Sequence, residues 1–223
     1  MPLAHTVIFD FDGTLVDSLE VGFRAANMVA PRFGVRTVGR AEADTFREMS
    51  TREMFEHLGI PLRRVLGLVL AVREEMARVM SSVPLFEGVA ECLIEVHERG
   101  IQLGVVSSNS RENVRACLKH NDVLDKFAFV HTALNLFGKH RTLRHVLRTR
   151  QLAPTSVVYV GDEGRDVEAA RRCQLLGVAV SWGMKSRAQL TSHQPDCIVD
   201  SPAELARLLM GDLPTGCSSL QPA

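Results

Sequence analysis

The chain lacks the features that mark several large classes of protein. Aromatic residues make up only 5% of its 223 residues, with one Trp and one Tyr, so no base-stacking surface for single-stranded nucleic acid is expected. The 26 Lys and Arg residues balance the 26 Asp and Glu residues, which gives no reason to expect nucleic acid or an anionic membrane as a partner. No apolar run approaches the length that crosses a bilayer.

Cysteine is also scarce and follows no recognisable pattern. The five cysteines are an odd number, and no two of them have the spacing of a CxxC motif. The N-terminus shows no basic segment followed by an apolar core, as a secretory signal would require. We therefore expect reduced thiols in a cytoplasmic protein, without a disulfide framework or a zinc site.

Short apolar runs alternate with helical periodicity along most of the chain. The runs are continuously apolar, as expected for strands covered on both faces. They occupy residues 6–9, 102–106, 156–160 and 178–181, with weaker runs at 127–130 and 197–199. Helical patterns lie between them at 89–99, 111–120, 141–150 and 166–176. This alternation predicts an α/β fold with a doubly wound, Rossmann-like parallel sheet.

One long segment interrupts the alternation. Residues 18–82 show no strand pattern, and instead contain helical patterns at 19–33, 41–47, 51–58 and 62–80. We expect residues 1–17 and 83–210 to form a core domain and residues 18–82 to form a helical cap inserted after the first strand. Residues 211–223 are rich in Pro, Gly and Ser, and are expected to be a disordered tail.

Polar side chains follow several of the predicted strands. They are Asp10 and Asp12 after the first strand, Ser107 and Ser108 after the second, Asp162 and Asp166 after the fourth, and Lys139 near the start of a helix. Ligands of open parallel sheets bind beyond the carboxyl ends of the strands. Because neighbouring buried carboxylates repel each other unless something pairs with them, we expect this group to surround a hard cation.

These residues also resemble the motifs of the haloacid dehalogenase-like superfamily, in the order of that family. The matching motifs are Asp10-Phe11-Asp12-Gly13-Thr14-Leu15, then Ser107, then Lys139, then Gly161-Asp162 followed by Asp166. The resemblance covers residues 6–209 and implies the same α/β core. The helical segment after the first motif is similar to the small cap of the phosphoglycolate-phosphatase-like and β-phosphoglucomutase-like branch.

The resemblance implies a phosphatase with an aspartyl-phosphate intermediate. Asp10 would attack the phosphorus, and Asp12 would act as general acid toward the leaving alcohol and then as general base toward water. Mg²⁺ would be held by the Asp10 carboxylate, the backbone carbonyl of Asp12 and Asp162, with Asp166 acting behind them or through a water molecule.

Other residues would bind the substrate. Lys139 and Ser107, with backbone N–H groups near Ser108, would stabilise charge on the phosphoryl oxygens. Arg52 on the predicted cap is a candidate for selecting the far end of the substrate, although a solvated helix residue is at least as good an interpretation. We expect a small phosphorylated molecule as substrate, no nucleic acid or membrane partner, and a monomer or homodimer.

Three alternatives stay open at this point. A phosphomutase of the β-phosphoglucomutase type would share the intermediate but pass the phosphoryl group to a sugar. A dehalogenase would need no Mg²⁺, and the second carboxylate, Asp12, counts against it. A binding or regulatory protein could keep the fold without catalysis. The motifs do not name the substrate, so phosphoglycolate, sugar phosphates, nucleotides and pyrophosphate are all candidates.

Overall fold

A computed structural model describes residues 3–133 and 138–212. The described chain contains one six-stranded sheet, in which neighbouring strands run parallel in the order β3-β2-β1-β4-β5-β6. The strands are β1 (Thr6–Phe9), β2 (Gln102–Ser107), β3 (Phe127–Thr132), β4 (Val157–Gly161), β5 (Leu176–Val180) and β6 (Cys197–Val199). The predicted doubly wound, Rossmann-like α/β sheet is confirmed.

Helices precede or follow each strand of the sheet. They are α1 (Leu19–Val29), α2 (Arg40–Phe46), α3 (Thr51–His57), α4 (Leu62–Ala77), α5 (Val89–Glu98), α6 (Arg111–His120), α7 (Lys139–Arg150), α8 (Gly164–Arg172), α9 (Arg187–Ser192) and α10 (Pro202–Leu209). The sequence patterns did not predict α9 and α10.

The helix predicted for residues 166–176 ends early. α8 stops at Arg172, Gln174 adopts a left-handed backbone conformation with φ of 58°, and β5 already begins at Leu176. The apolar side chains after Arg172 continue the helical spacing although they belong to a turn and a strand. Periodicity alone could not locate this boundary.

Both faces of the sheet are covered. Val7 and Phe9 of β1 face one side, where they pack in a cluster with Leu93 of α5. Ile8 faces the other side and packs in a cluster with Leu143 of α7. Burying side chains on both faces requires apolar residues at consecutive positions, which explains the continuous apolar runs in the sequence.

Residues 18–82, which we call the helical insert, carry α1 to α4 and have an apolar cluster of their own. Its buried members are Val29, Phe55, Ile60, Val65 and Leu68. The Ser50 hydroxyl accepts a hydrogen bond from the Glu53 N–H at 3.2 Å, and the Glu53 carboxylate accepts one from the Ser50 N–H at 2.7 Å. This capping box starts α3. The division into a core and a cap stays a prediction, and the tail expected at 211–223 lies outside the described residues from 213 onward.

No helix in the described ranges is both long and apolar enough to cross a membrane. Cys92, Cys117 and Cys173 are buried free thiols. Burial raises the pKa of Cys92 to about 12 and that of Cys117 to about 11, which keeps both thiols protonated. These three residues agree with the expectation of reduced thiols, which stays a prediction for the other two cysteines.

Candidate active site

Two aspartates stand where neighbouring strands end. Asp10 directly follows β1, and Asp162 directly follows β4, which pairs with β1 in parallel. Asp166 lies in the first turn of α8. All three residues are buried, and one carboxylate oxygen of each lies within 4.8 Å of the others. The sheet therefore gathers three carboxylates that are far apart in the sequence.

Lys139, the first residue of α7, places its ammonium among these carboxylates. Its side chain is only 6% exposed, and its Nζ lies 2.7 Å from Asp10 Oδ2 and also donates to Asp166 Oδ1. Burial alone would lower the pKa of Lys139, but the two carboxylates raise it above its ordinary value. Lys139 is therefore a permanent positive charge that offsets part of the negative charge of the cluster.

Asp162 is held by hydrogen bonds from two separate loops. The Thr14 hydroxyl donates to its Oδ1 at 2.9 Å, and the Met184 N–H donates to its Oδ2 at 2.7 Å. Burial, together with the neighbouring carboxylates, raises the pKa of Asp162 well above its usual value. The charged form of this side chain is thus costly until a further positive charge approaches it.

Two glycines make room for Asp162. Gly13 has a φ of 76°, and a Cβ there would lie 2.2 Å from an Asp162 carboxylate oxygen. A Cβ at Gly183 would lie 2.2 Å from the Gly13 carbonyl oxygen and 2.4 Å from Asp162 Cβ. No side chain fits in either place, so the loops after β1 and β5 close tightly around Asp162.

Asp166 is oriented by its own helix end and by the sheet. Its Oδ2 accepts a hydrogen bond from the Glu163 N–H at 3.1 Å, and the Tyr159 hydroxyl on β4 lies 3.4 Å from its Oδ1. Burial raises the pKa of Asp166 to about 6, although Lys139 opposes this shift. Asp166 is therefore a helix cap and a member of the acidic cluster at once.

Asp12 lies beside the cluster, and its carboxylate is oriented by an asparagine. Asn109 Nδ2 donates to Asp12 Oδ2 at 3.1 Å. The Asn109 Oδ1 in turn accepts hydrogen bonds from the Ser110 N–H at 2.8 Å and from Asn113 Nδ2 at 3.1 Å. Burial raises the pKa of Asp12, against the hydrogen bonds from Asn109 and Ser18 that lower it. Because the effect of burial is the larger one, the Asp12 carboxyl group favours its protonated form more than a free carboxyl group does.

Ser107 and Ser108 stand on the strand next to β1. Ser107 ends β2, is 2% exposed, and accepts a hydrogen bond from the Asn109 N–H at 2.9 Å through its Oγ. Phe9 pairs with Val105 in the parallel register, which puts Ser107 level with the residue after Asp10. Ser108 follows at a half-buried position. Both serines therefore lie at the sheet edge that carries the carboxylates.

Arg52 is not part of the site formed by the carboxylates, Lys139 and the two serines. Its side chain is 80% exposed on α3, where its Nε lies 2.8 Å from Glu56 Oε1 one helical turn away. This contact is that of a solvated helix residue, the alternative that the sequence left open. Arg47 does reach the loop after β5, where its guanidinium donates to the Ser181 carbonyl oxygen at 3.3 Å.

Several residues of the site have roles that were not predicted. Asn109 directly follows the two serines at the end of a predicted strand, but the sequence gives it no role. Thr14 belongs to the first motif, but its hydrogen bond to Asp162 has no signal in the sequence. Tyr159 and the Met184 N–H become relevant only through the residues that they contact in the fold. Tertiary contacts, rather than local sequence, define these supporting roles.

The donor set of the cluster fits a divalent cation. Carboxylate oxygens are ligands that hard cations such as Mg²⁺ prefer. Three carboxylates meet the single ammonium of Lys139 here, and burial together with the neighbouring carboxylates raises the pKa values of Asp162 and Asp166. A divalent cation would supply the missing positive charge at that place.

Comparison with known proteins is consistent with this geometry. The model of the family described as haloacid dehalogenase-like hydrolase matches residues 7–180. The chain belongs to this family. Phosphoglycolate phosphatase of Synechococcus elongatus is 36% identical over 201 residues, which cover 90% of this chain and 95% of that protein. Pyrophosphatase PpaX of Bacillus mycoides is 25% identical over 210 residues, which cover 92% and 96% of the two chains.

Solved structures show the same fold. A haloacid dehalogenase-like family hydrolase from Streptococcus pneumoniae superposes with a TM-score of 0.76 at 22% identity, covering 92% of this chain and 98% of that one. CbbY from Rhodobacter sphaeroides, solved in complex with phosphate, gives a TM-score of 0.68 at 21% identity over 91% and 96% of the two chains. The resemblance to the superfamily and to its phosphoglycolate-phosphatase-like branch is confirmed, and the protein is a phosphatase of this hydrolase family.

Proposed function

We propose that the protein is a Mg²⁺-dependent phosphatase that hydrolyses a small phosphomonoester through an aspartyl-phosphate on Asp10. One observation carries the proposal: the buried Asp10 carboxylate shares a cation-binding cluster with Asp162 and Asp166, and Lys139 bridges that cluster. The Lys139 Nζ lies 2.7 Å from Asp10 Oδ2, so a positive charge faces the carboxylate that would attack the phosphorus.

In the first step, an Asp10 carboxylate oxygen attacks the phosphorus of the substrate. The bond between phosphorus and the leaving oxygen breaks, and that oxygen takes the proton of the Asp12 carboxyl group. Asn109 holds the Asp12 side chain in place for this transfer. The raised pKa of Asp12 increases the protonated fraction that the step requires.

In the second step, Asp12 is a carboxylate and takes a proton from a water molecule. The water oxygen attacks the phosphorus, and the bond between phosphorus and Asp10 breaks. Inorganic phosphate leaves, Asp10 is again a carboxylate, and Asp12 is again protonated. One residue therefore serves as acid and then as base, and the protons balance over the cycle.

The remaining groups would stabilise the negative charge of the substrate and of the nucleophile. Lys139, the Ser107 hydroxyl and the N–H groups near Ser108 would stabilise the phosphoryl oxygens. The Asp10 carboxylate, the Asp12 backbone carbonyl and Asp162 would hold Mg²⁺, with Asp166 supporting them. When bound, Mg²⁺ would screen the repulsion between the anionic nucleophile and the anionic substrate.

Phosphoglycolate is the first candidate substrate, because the Synechococcus elongatus relative is a phosphoglycolate phosphatase. Pyrophosphate is the second, from the Bacillus mycoides relative. We further propose that the helical insert is a cap that closes over the substrate and limits water, that the protein is cytoplasmic, and that it is a monomer or homodimer. Arg52 has no contact that supports a role in substrate selection.

A phosphate-release assay tests the proposal. The panel contains phosphoglycolate, pyrophosphate, a nucleoside monophosphate and β-glucose 1-phosphate, each with Mg²⁺ and with EDTA. We expect Mg²⁺-dependent release, and Asp10→Asn should lower the rate by about 10⁴-fold or more while far-UV circular dichroism is unchanged. Near-normal release by that variant would show that Asp10 is not the nucleophile. Conversion of β-glucose 1-phosphate to its 6-phosphate without phosphate release would favour the phosphomutase.

A further inference from the structure

Lys185, in the loop between β5 and α9, joins the helical insert to the sheet. Lys185 as a whole is only 2% exposed. Its Nζ donates to the Phe46 carbonyl oxygen at 2.7 Å and to the Met49 carbonyl oxygen. Phe46 ends α2, so the ammonium lies at the negative end of that helix. A buried ammonium is costly unless it is hydrogen-bonded, and these carbonyls belong to a segment 136 to 139 residues away in the sequence.

Further hydrogen bonds connect the same two segments. The Ser186 N–H donates to the Arg47 carbonyl oxygen at 3.2 Å, and the Ser186 hydroxyl donates to Glu48 Oε2 at 2.7 Å. In the other direction, the Arg47 guanidinium donates to the Ser181 carbonyl oxygen at 3.3 Å. We call this contact between residues 46–49 and 181–186 the insert joint. The insert joint contains several hydrogen bonds spread along both segments, unlike a single surface contact.

The sheet side of the insert joint also builds the active site. The Trp182 Nε1–H donates to the Thr14 carbonyl oxygen at 3.1 Å, in the loop that carries Asp12. Gly183 packs directly against Asp162, and the Met184 N–H donates to Asp162 Oδ2 at 2.7 Å. Consecutive residues of one short loop thus contact the loop after β1, the acidic cluster and the helical insert.

We propose that Lys185 is a positioning residue that couples the placement of the helical insert to the geometry of Asp162. Its ammonium holds residues 46–49 against the loop, and the neighbouring Met184 N–H then fixes the Asp162 carboxylate. Loss of the ammonium frees the insert, relaxes this loop and weakens the cation-binding cluster. Through the role of Asp162 as a Mg²⁺ ligand, the inference rests on the proposed function.

Lys185→Met tests this coupling, because methionine keeps the apolar stem and removes the donor. Arg187→Met is the matched control: Arg187 starts α9, is 54% exposed, and pairs with Asp200 of the sheet side at 2.6 Å. Hydrogen exchange is measured on the metal-free proteins. We expect exchange at residues 46–49 and 181–186 to be about 10-fold or more faster in Lys185→Met and unchanged in the control. The Ser186 N–H reports directly, since it is bonded across the joint.

Mg²⁺ titrations followed by thermal unfolding supply the second readout. Supporting hydrogen bonds to metal ligands change metal affinity by about 10- to 100-fold, so the Mg²⁺ concentration for half-maximal stabilisation should rise about 10-fold in Lys185→Met. The value of kcat/KM should fall by up to about 100-fold. Should Lys185→Met fail to fold, Glu48→Ala takes its place, because Glu48 is exposed and its loss removes the hydrogen bond from the Ser186 hydroxyl across the same joint.

Three outcomes would overturn the proposal. Unchanged exchange across the insert joint would show that Lys185 does not hold it. Faster exchange with unchanged Mg²⁺ affinity would show that the joint and Asp162 are independent. A rise in KM, with hydrogen exchange and Mg²⁺ affinity both unchanged, would make Lys185 a substrate-binding group and would also refute the coupling. If the wild-type protein hydrolyses no phosphomonoester, the proposed function fails, while exchange and Mg²⁺-dependent unfolding still decide the role of Lys185.

Discussion

Replacing Lys139 with methionine should destabilise the metal-free protein strongly. Lys139 and its two partners are buried, with side-chain exposures of 6% for Lys139, 5% for Asp10 and 1% for Asp166. Removing one partner of a buried ion pair leaves uncompensated charge and costs about 3–5 kcal/mol. For a domain of this size, that loss corresponds to a fall in Tm of about 6–20 °C.

The pH dependence of this loss follows from the sign of the pKa shift. With Lys139 present, the pKa of Asp166 is already raised to about 6, and removing the ammonium raises it further. A carboxyl group with a higher pKa in the folded state than in the unfolded state binds a proton on folding. The penalty is therefore largest above that folded pKa and shrinks as the pH falls toward the unfolded value. We expect the loss to be smaller at pH 5.5 than at pH 8.

Urea unfolding in EDTA at the two pH values measures the effect. Lys126→Met is the matched control, because Lys126 pairs with Asp125 at 2.8 Å but Asp125 is 70% exposed. Such a surface pair contributes about 0–1 kcal/mol. A Lys139→Met variant within about 1 kcal/mol of the wild type at pH 8 would refute the reasoning that an ammonium must neutralise the cluster.

Further predictions concern the supports of the cluster. Asn109→Ala should lower kcat/KM by about 100-fold. Because the Asn109 hydrogen bond lowers the pKa of Asp12, its loss should move the alkaline limb of the kcat/KM profile to higher pH. Gly183→Ala should destabilise by about 1–3 kcal/mol, since its Cβ would lie 2.2 Å from a backbone oxygen, whereas Gly39→Ala meets no atom within 4 Å. Protons compete with Mg²⁺ for carboxylates of raised pKa, so Mg²⁺ should raise Tm more at pH 7.5 than at pH 5.5.

Each of these predictions has an outcome that contradicts it. If the alkaline limb of the kcat/KM profile of Asn109→Ala stays at the wild-type pH, Asn109 does not control the protonation of Asp12. If urea unfolding gives the two glycine variants equal stabilities, the loop after β5 can shift to accommodate a Cβ at Gly183 at little cost. A Mg²⁺-dependent Tm shift that is equal at both pH values, or absent at both, would argue against Asp162 and Asp166 as metal ligands.

Much of the fold could be predicted because burial on both faces of a parallel sheet leaves a continuous apolar pattern. The strands at 6–9 and 102–107 appear in the sequence as such runs, and helical spacing separates them. The end of α8 was misplaced because apolar residues of a turn and a strand happened to continue its spacing. Local periodicity reports which residues are buried and does not report what buries them.

Residue patterns alone were enough to predict the sheet, the helical segment at 18–82 and the candidate chemistry at the ends of the strands. Asp10, Asp162, Asp166 and Lys139 could be grouped in advance because the carboxyl ends of parallel strands meet at one edge. The packed fold was needed to show that Arg52 stays in solvent, that Asn109 holds Asp12, and that Lys185 contacts residues 46–49. The reason is physical: strand ends are ordered by the repeating backbone pattern, whereas these other contacts depend on where separate segments come to lie after packing.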